Sequence, residues 1–365
     1  ILNFKDLISD NDINIVKQYN LVSGLVLIKV NHSDIEFSDN ESLKNNLDEK
    51  INKIKKLNSV FYVEYDYLKK SVKVPTDSAY ISGDLWGLHN TGQNSGTADA
   101  DIDAPEAWDI TTGSEDVLVA VIDSGLHVTH QDLVSQLWVN EDEIPNNGKD
   151  DDNDGYIDNI HGIAPLTQDG NLNDDSTSHG THVAGTIGAS ANDNGGHVGV
   201  AWNVKLMGIK VGDYWIDTAA TIDGIEFAVD HGVTVANCSY GGYSYSQAGF
   251  DAYAAGGEAG IMFAVSSMND SNNNDQLPSY PASYDLECII SVAATDRMDE
   301  LANFSNYGFE SVDLAAPGVD IFSTYSNADD GYGEMSGTSM AAPHVTGVIA
   351  LMRSLQPSWT NLEIR

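Results

Sequence analysis

The sequence predicts an α/β protein, a parallel β-sheet with helices on both faces, preceded by a small α+β unit. Two observations predict it. Short, uniformly apolar runs alternate with longer helical stretches, which is the pattern of strands covered on both sides. The charge also changes abruptly along the chain. Of 17 Lys+Arg and 55 Asp+Glu, the first 75 residues hold 11 of each, so the whole net charge of −38 falls on the remainder. Such a boundary separates units with different jobs, and 365 residues suffice for both.

The first unit is expected over residues 1–73. Residues 24–30 (GLVLIKV) read as a strand. In residues 42–57, Leu43, Leu47, Ile51, Ile54 and Leu57 fall at helical spacing behind Ser42, a good N-cap. Residues 60–67 (VFYVEYDY) read as a second strand. Residues 69–84 are polar and contain Pro75, which predicts a linker, with its boundaries set at 74–84. From residue 85 to 365 the alternation begins. Strands are expected at 117–123, 204–211, 233–239, 261–267 and 288–294, with helices at 218–232 and 246–260 between them. In such sheets, active sites gather at the carboxyl ends of the strands.

Composition excludes several classes. The acidic surface repels nucleic acid and anionic membranes. No apolar stretch reaches the ~18–20 residues that span a bilayer. Cys238 and Cys288 are too few for a disulfide framework.

Three polar residues stand where the sheet rule wants them. Asp123 ends the strand VAVID, His179 opens a helical stretch HGTHVAGTIG, and Ser339 lies in a Gly-Thr-Ser turn running into an apolar helix. Asp, His and Ser in that order form one of the known nucleophilic triads. A serine hydroxyl is a poor nucleophile alone; it needs a base in reach, and the base needs an orienting carboxylate. Taken singly, each residue reads as a cap or a solvated side chain. The pair His179 and His182 is a weak metal motif, because HGTH is not HExxH.

The stretches AVIDSG, HGTHVAGT and GTSMAAPHV resemble the three signature motifs of the subtilisin-like serine proteases, the subtilases. The resemblance runs through WGLHNTGQ, DIDAPEAWDITTGS, SYPASYDLECIISVAATD and LAAPGVDIFST, covering nearly everything from Leu85 onward. It implies that His179 is the general base, that His182 is packing, that Asp123 orients the imidazole, and that Ser339 attacks the peptide carbonyl. It places the oxyanion amide at Asn269, although Met268 stands where the family usually has Gly. It makes Ser239, Tyr240 and Gly241 a strand that binds substrate backbone. Residues 58–71 resemble the end of a subtilase prodomain, so residues 1–73 are expected to chaperone folding and inhibit the enzyme until a cut in the linker. Residues 357–365 resemble the start of a helix that normally continues, so further chain is expected beyond Arg365. The expected protein is a secreted, extracellular, monomeric endopeptidase. Its partners are protein and peptide substrates and its own prodomain, with no nucleic acid and no membrane. By family topology the strands bearing Cys238 and Cys288 flank a third, which puts the thiols ~10 Å apart and unbonded.

Residues 146–159 (NNGKDDDNDGYIDN) carry a second signal. Asp150, Asp152, Asp154, Gly155 and Asp158 follow the spacing of an EF-hand-like Ca²⁺ loop. The twelfth position holds His161 instead of Glu, so Asn140 or Glu143 is needed to complete the shell. Resemblance alone adds Asp132 and Asp193 as ligands of a second calcium site. Two rival readings are weaker. A non-enzymatic calcium scaffold on a dead protease fold conflicts with an intact Asp, His and Ser set, and a lipase or esterase would need a GxSxG elbow around Ser339.

Overall fold

A computed structural model describes residues 13–18, 25–30, 40–56, 60–65 and 74–365, apart from 175, 193 and 194. The chain forms two compact units, Ile1–Ser71 and Val72–Arg365.

In the first unit, β1 (Ile13–Gln18) and β2 (Val26–Val30) pair antiparallel, and α1 (Asn40–Lys55) follows. Ile54 of α1 is buried against Ile28, Val60 and Val63. Residues 60–65 were expected as a strand and are not one. Val60 and Val63 do turn inward, but Phe61 and Tyr62 are exposed. No other segment hydrogen-bonds to this stretch as a ladder among the described residues. A period-two pattern makes a strand only where a neighbour completes its backbone bonds.

The second unit starts earlier than expected. Residues 74–84, read as a linker, include α2 (Ser78–Ser82); Ala79 there is buried and its N–H donates to Gly196 O at 3.0 Å. Beyond it come α3 (Ala104–Trp108) and β3 (Leu118–Asp123). Next are β4 (Gly162–Ile163), α4 (His179–Gly188), β5 (Lys205–Lys210), α5 (Thr218–Asp230) and β6 (Val235–Cys238). Then follow α6 (Gln247–Glu258), β7 (Met262–Ser266), β8 (Ile289–Thr295) and β9 (Leu314–Pro317). A hairpin of β10 (Ile321–Thr324) and β11 (Tyr332–Met335) leads to α7 (Thr338–Leu355) and α8 (Asn361–Ile364).

Seven strands form one sheet in the order β4-β5-β3-β6-β7-β8-β9, every neighbouring pair parallel. Alternation along each strand divides the core. Val119, Val121, Val235, Met262 and Ala264 face the layer that holds α4 and α7. Leu118, Ala120, Ile122, Ala236 and Phe263 face the layer of α5 and α6. Side chains on both faces are buried, which is why the strands read as unbroken apolar runs. Asp217 caps α5 by accepting from Ala220 N at 2.9 Å, and Ser246 caps α6 from Gly249 N at 3.1 Å. Cys238 and Cys288 are free, buried thiols; β6 and β8 do flank β7. No helix of the described residues is long and apolar enough to cross a membrane.

Candidate active site

Parallel strands put all their carboxyl ends on one edge. Asp123 ends β3, Ser239 follows β6, and Met268 and Asn269 follow β7. Helices α4 and α7 pack on each other and start at this edge with His179 and, one residue in, Ser339.

Asp123 is buried, and its Oδ1 lies 2.7 Å from His179 Nδ1. The same oxygen accepts the Ser124 N–H at 2.7 Å. His179 is partly exposed. Desolvation works against its charge, but the Asp123 carboxylate outweighs this and holds its pKa above the ordinary imidazole value. Gly180 permits the approach of α4 to β3: a Cβ there would stand 2.2 Å from Gly125 O and 3.1 Å from Asp123 Cβ.

His182 is unlike its neighbour. It is buried, and Nε2 donates to Ile321 O at 2.8 Å. Burial pushes its pKa down to about 3, against the pull of the bond to the Ile321 carbonyl. It is a neutral, structural imidazole.

Sequence reasoning passed over Asp174, five residues before His179. It is buried and ties the two motifs together. Its carboxylate accepts from Ser124 Oγ at 2.6 Å, Thr177 Oγ at 2.9 Å, Thr181 N at 2.9 Å and Thr181 Oγ at 2.8 Å. Ser124 Oγ in turn accepts from Gly180 N at 3.0 Å. Burial raises the Asp174 pKa, against the pull of these bonds. The available signal was an acidic residue just ahead of the HGTH stretch.

Ser339 and Ser239 hold each other. Ser339 Oγ donates to Ser239 O at 3.0 Å, and Ser239 Oγ donates to Ser339 O at 2.8 Å. The second bond is possible because of Pro343. In a helix, residue 343 would donate to the carbonyl of 339, but proline has no N–H, which leaves that carbonyl free. Asn269 Oδ1 accepts from Thr338 N at 2.8 Å and Thr338 Oγ at 3.0 Å, which fixes which end of the amide faces the helix. Its Nδ2 lies beside Gly337. Met268 adopts φ 87°, a left-handed conformation that suits Gly. Tyr240 turns its ring into the core beneath the strand, its hydroxyl 3.0 Å from that of Tyr253, while Gly241 is exposed at the surface.

The acidic loop lies apart from this edge. Carboxylate oxygens of Glu143, Asp150 and Asp152 come within 4.8 Å of one another. Glu143 is buried; one oxygen accepts Asp151 N at 2.6 Å, and Oε2 has no hydrogen-bond partner. Asn140 Nδ2 donates to Asp152 at 2.9 Å. Asp154 adjoins Asp152, to which its N–H donates at 3.1 Å; its own carboxylate accepts from Tyr156 N at 2.9 Å and Asn159 Nδ2 at 2.6 Å, and burial raises its pKa. Asp158 caps the turn before it, accepting Asn147 N at 2.9 Å and Gly148 N at 3.0 Å. His161 is turned away, its Nδ1 on Trp138 O at 2.8 Å. A buried carboxylate oxygen without a donor, facing two more carboxylates, fits a hard divalent cation such as Ca²⁺. Asp132 is buried elsewhere, with Oδ2 accepting His197 N at 3.0 Å and Tyr332 OH at 2.8 Å. Asp193 lies outside the described residues.

A parallel sheet that gathers Asp123, His179 and Ser339 at one edge defines an α/β protein with a candidate nucleophilic site, and comparison with known proteins gives its family. Residues 114–365 match the model of the subtilase family. A thermophilic serine proteinase of Bacillus sp. (strain AK1) is 35% identical over 318 residues, spanning 86% of this chain and 68% of that protein. Subtilisin E of Bacillus subtilis (strain 168) is 35% identical over 331 residues, 87% of this chain and 72% of that protein. A solved protease from Pseudoalteromonas arctica PAMC 21717 superposes with a TM-score of 0.64 at 28% identity, covering 80% of this chain and 90% of that one. The chain belongs to the subtilase family.

Proposed function

We propose that this proteinase is a secreted endopeptidase in which Asp123, His179 and Ser339 form the triad. The observation that carries the reading is the 2.7 Å contact of a buried carboxylate with the His179 imidazole, at the edge where α7 presents Ser339. In the reaction, Ser339 Oγ turns its proton from Ser239 O to His179 Nε2 and attacks the peptide carbonyl. His179 becomes imidazolium, stabilised by Asp123, and then protonates the leaving amine. Asn269 Nδ2 and the Ser339 N–H stabilise the oxyanion. Water repeats the sequence on the acyl-enzyme. Substrate backbone adds as a strand to Ser239–Gly241, which gives affinity with little sequence preference.

Glu143, Asp150 and Asp152 would hold calcium, with Asn140 supporting Asp152. The ion supplies charge neutralisation to the loop and takes no part in the chemistry. Residues 1–73 act as an inhibitory prodomain, an assignment supported by the charge boundary and by the compact first unit. A scaffold without activity is not favoured, since Asp123, His179 and Ser339 are all retained in the sequence.

Labelling with a fluorophosphonate, followed by mass-spectrometric location of the label, tests the reading. The label is expected on Ser339 and nowhere in Ser339→Ala, which should be folded and inactive. Label on another serine, or peptide turnover by Ser339→Ala near the parent rate, would refute it.

A further inference from the structure

We propose that Met268 sets the specificity of this enzyme by narrowing the pocket for the side chain on the acyl side of the cleaved bond, which favours small residues there. The proposal rests on the roles given above to Ser339, Asn269 and Ser239–Gly241.

The position of that pocket follows from the geometry. The substrate carbonyl carbon must reach Ser339 Oγ, its oxygen must face the Asn269 amide, and its backbone must run beside Ser239–Gly241. That arrangement directs the side chain on that residue toward the space between Gly241 and the segment after β7. Gly241 offers no side chain to fill it. Met268 does: a Cβ built on Gly241 would stand 2.9 Å from Met268 Sδ and 3.2 Å from its Cγ. The thioether therefore lies against the Gly241 backbone and bridges the two walls of the slot.

The Met268 backbone is held in place while this happens. Its N–H donates to Thr338 Oγ at 3.2 Å, and its carbonyl accepts from Asn306 N at 2.8 Å. A φ of 87° is unfavourable for any residue with a Cβ, so a long side chain is carried here at the cost of strain. Glycine would relieve that strain and empty the slot. Methionine is unbranched and adaptable, so the effect is a graded preference for small side chains and not an absolute block.

The test uses the mature parent enzyme with Met268→Gly and Met268→Ala. Substrates are tetrapeptide p-nitroanilides identical except for Ala or Phe at the last position. One methylene of pocket space changes kcat/KM by roughly 10–200-fold. The parent is expected to prefer Ala over Phe, and the Phe/Ala ratio of kcat/KM to rise about tenfold or more in Met268→Gly and by less in Met268→Ala. Thermal melting of each variant shows that the ratio belongs to folded protein, and the Ala variant serves if the Gly variant melts early. A ratio within about twofold of the parent in both variants, or a parent that already prefers Phe, overturns the proposal alone. A parent that cleaves neither peptide overturns the assignment of the site and this proposal with it.

Discussion

Replacing Asp174 by alanine should loosen the whole histidine side of the active site. Four donors lose their acceptor: the hydroxyls of Ser124, Thr177 and Thr181, at 2.6, 2.9 and 2.8 Å, and the Thr181 N–H at 2.9 Å. A hydrogen bond to a charged group contributes about 1.5–3 kcal/mol, but the four do not add, because hydroxyls can turn to other acceptors. The Thr181 N–H cannot turn, and it is buried. Leaving that donor unsatisfied costs about 1–3 kcal/mol, and with the lost charge-assisted hydroxyl bonds the sum is about 3 kcal/mol. At ~2–4 °C per kcal/mol for a domain of this order of size, the melting temperature should fall by about 10 °C. Asp174→Asn keeps one acceptor oxygen and the volume, so it should cost about half as much. The Asn variant also has a kinetic signature. The negative charge of Asp174 helps to raise the pKa of His179, so its removal should move the acid limb of kcat/KM to lower pH. The assays are calorimetry on a Ser339→Ala background, which prevents self-digestion, and a pH–rate profile on the active enzyme. A melting change under 2 °C in Asp174→Ala, or an unmoved acid limb in Asp174→Asn, would refute the reasoning.

Other outcomes are open to measurement. The folded pKa of His179 lies above its unfolded value, so the pair with Asp123 stabilises the fold at low pH and loses that effect as pH rises through the folded pKa; kcat/KM should climb over the same interval, and Asp123→Asn should abolish both trends. The imidazoles of His182, His197 and His344 are buried and pushed down to about 3, 3 and 4. The unfolded chain takes up protons near the ordinary value of ~6.5 while the native state refuses them, so stability should drop as pH falls from about 6.5 to 4, and an unchanged melting temperature across that range would contradict it. Calcium at a hundredfold excess over Kd should stabilise by about 2.7 kcal/mol, an increment lost on chelation and in Glu143→Gln with the initial rate nearly unchanged; an identical calcium-dependent melting shift in that variant would place the ion elsewhere.

The central sheet was legible because its strands are buried on both faces and bounded by turns; β3, β5, β6, β7 and β8 fall within a residue or two of expectation. The stretch at 60–65 misled because alternation reports which side chains turn inward and not whether a ladder partner exists. Residues 74–84 misled because a polar composition with one proline hides the inward-facing Ala79. Asp123, His179 and Ser339 were readable from their motifs, and the structure brings the first two into contact. Asp174 was missed: its one signal, an acidic residue ahead of HGTH, is weak, since a buried carboxylate serving hydroxyls leaves no periodic trace. In the acidic loop, spacing pointed to Asp150 and Asp152 and offered Glu143 to complete the shell, and the fold brings these three carboxylates together; the bonds of Asp158 to Asn147 N and Gly148 N leave no sequence signature.

The paired bonds between Ser239 and Ser339 act as a hinge with one pin that can be drawn. In the proposed reaction, rotation of the Ser339 hydroxyl toward His179 gives up its bond to Ser239 O. The return bond, from Ser239 Oγ to the carbonyl left free by Pro343, is untouched by that rotation. The Ser339 hydroxyl is thus free to turn while its own peptide group stays anchored to the segment after β6. Under the proposed mechanism, attack and docking share that one reference point, and the helix need supply no more than the rotation of a single serine side chain.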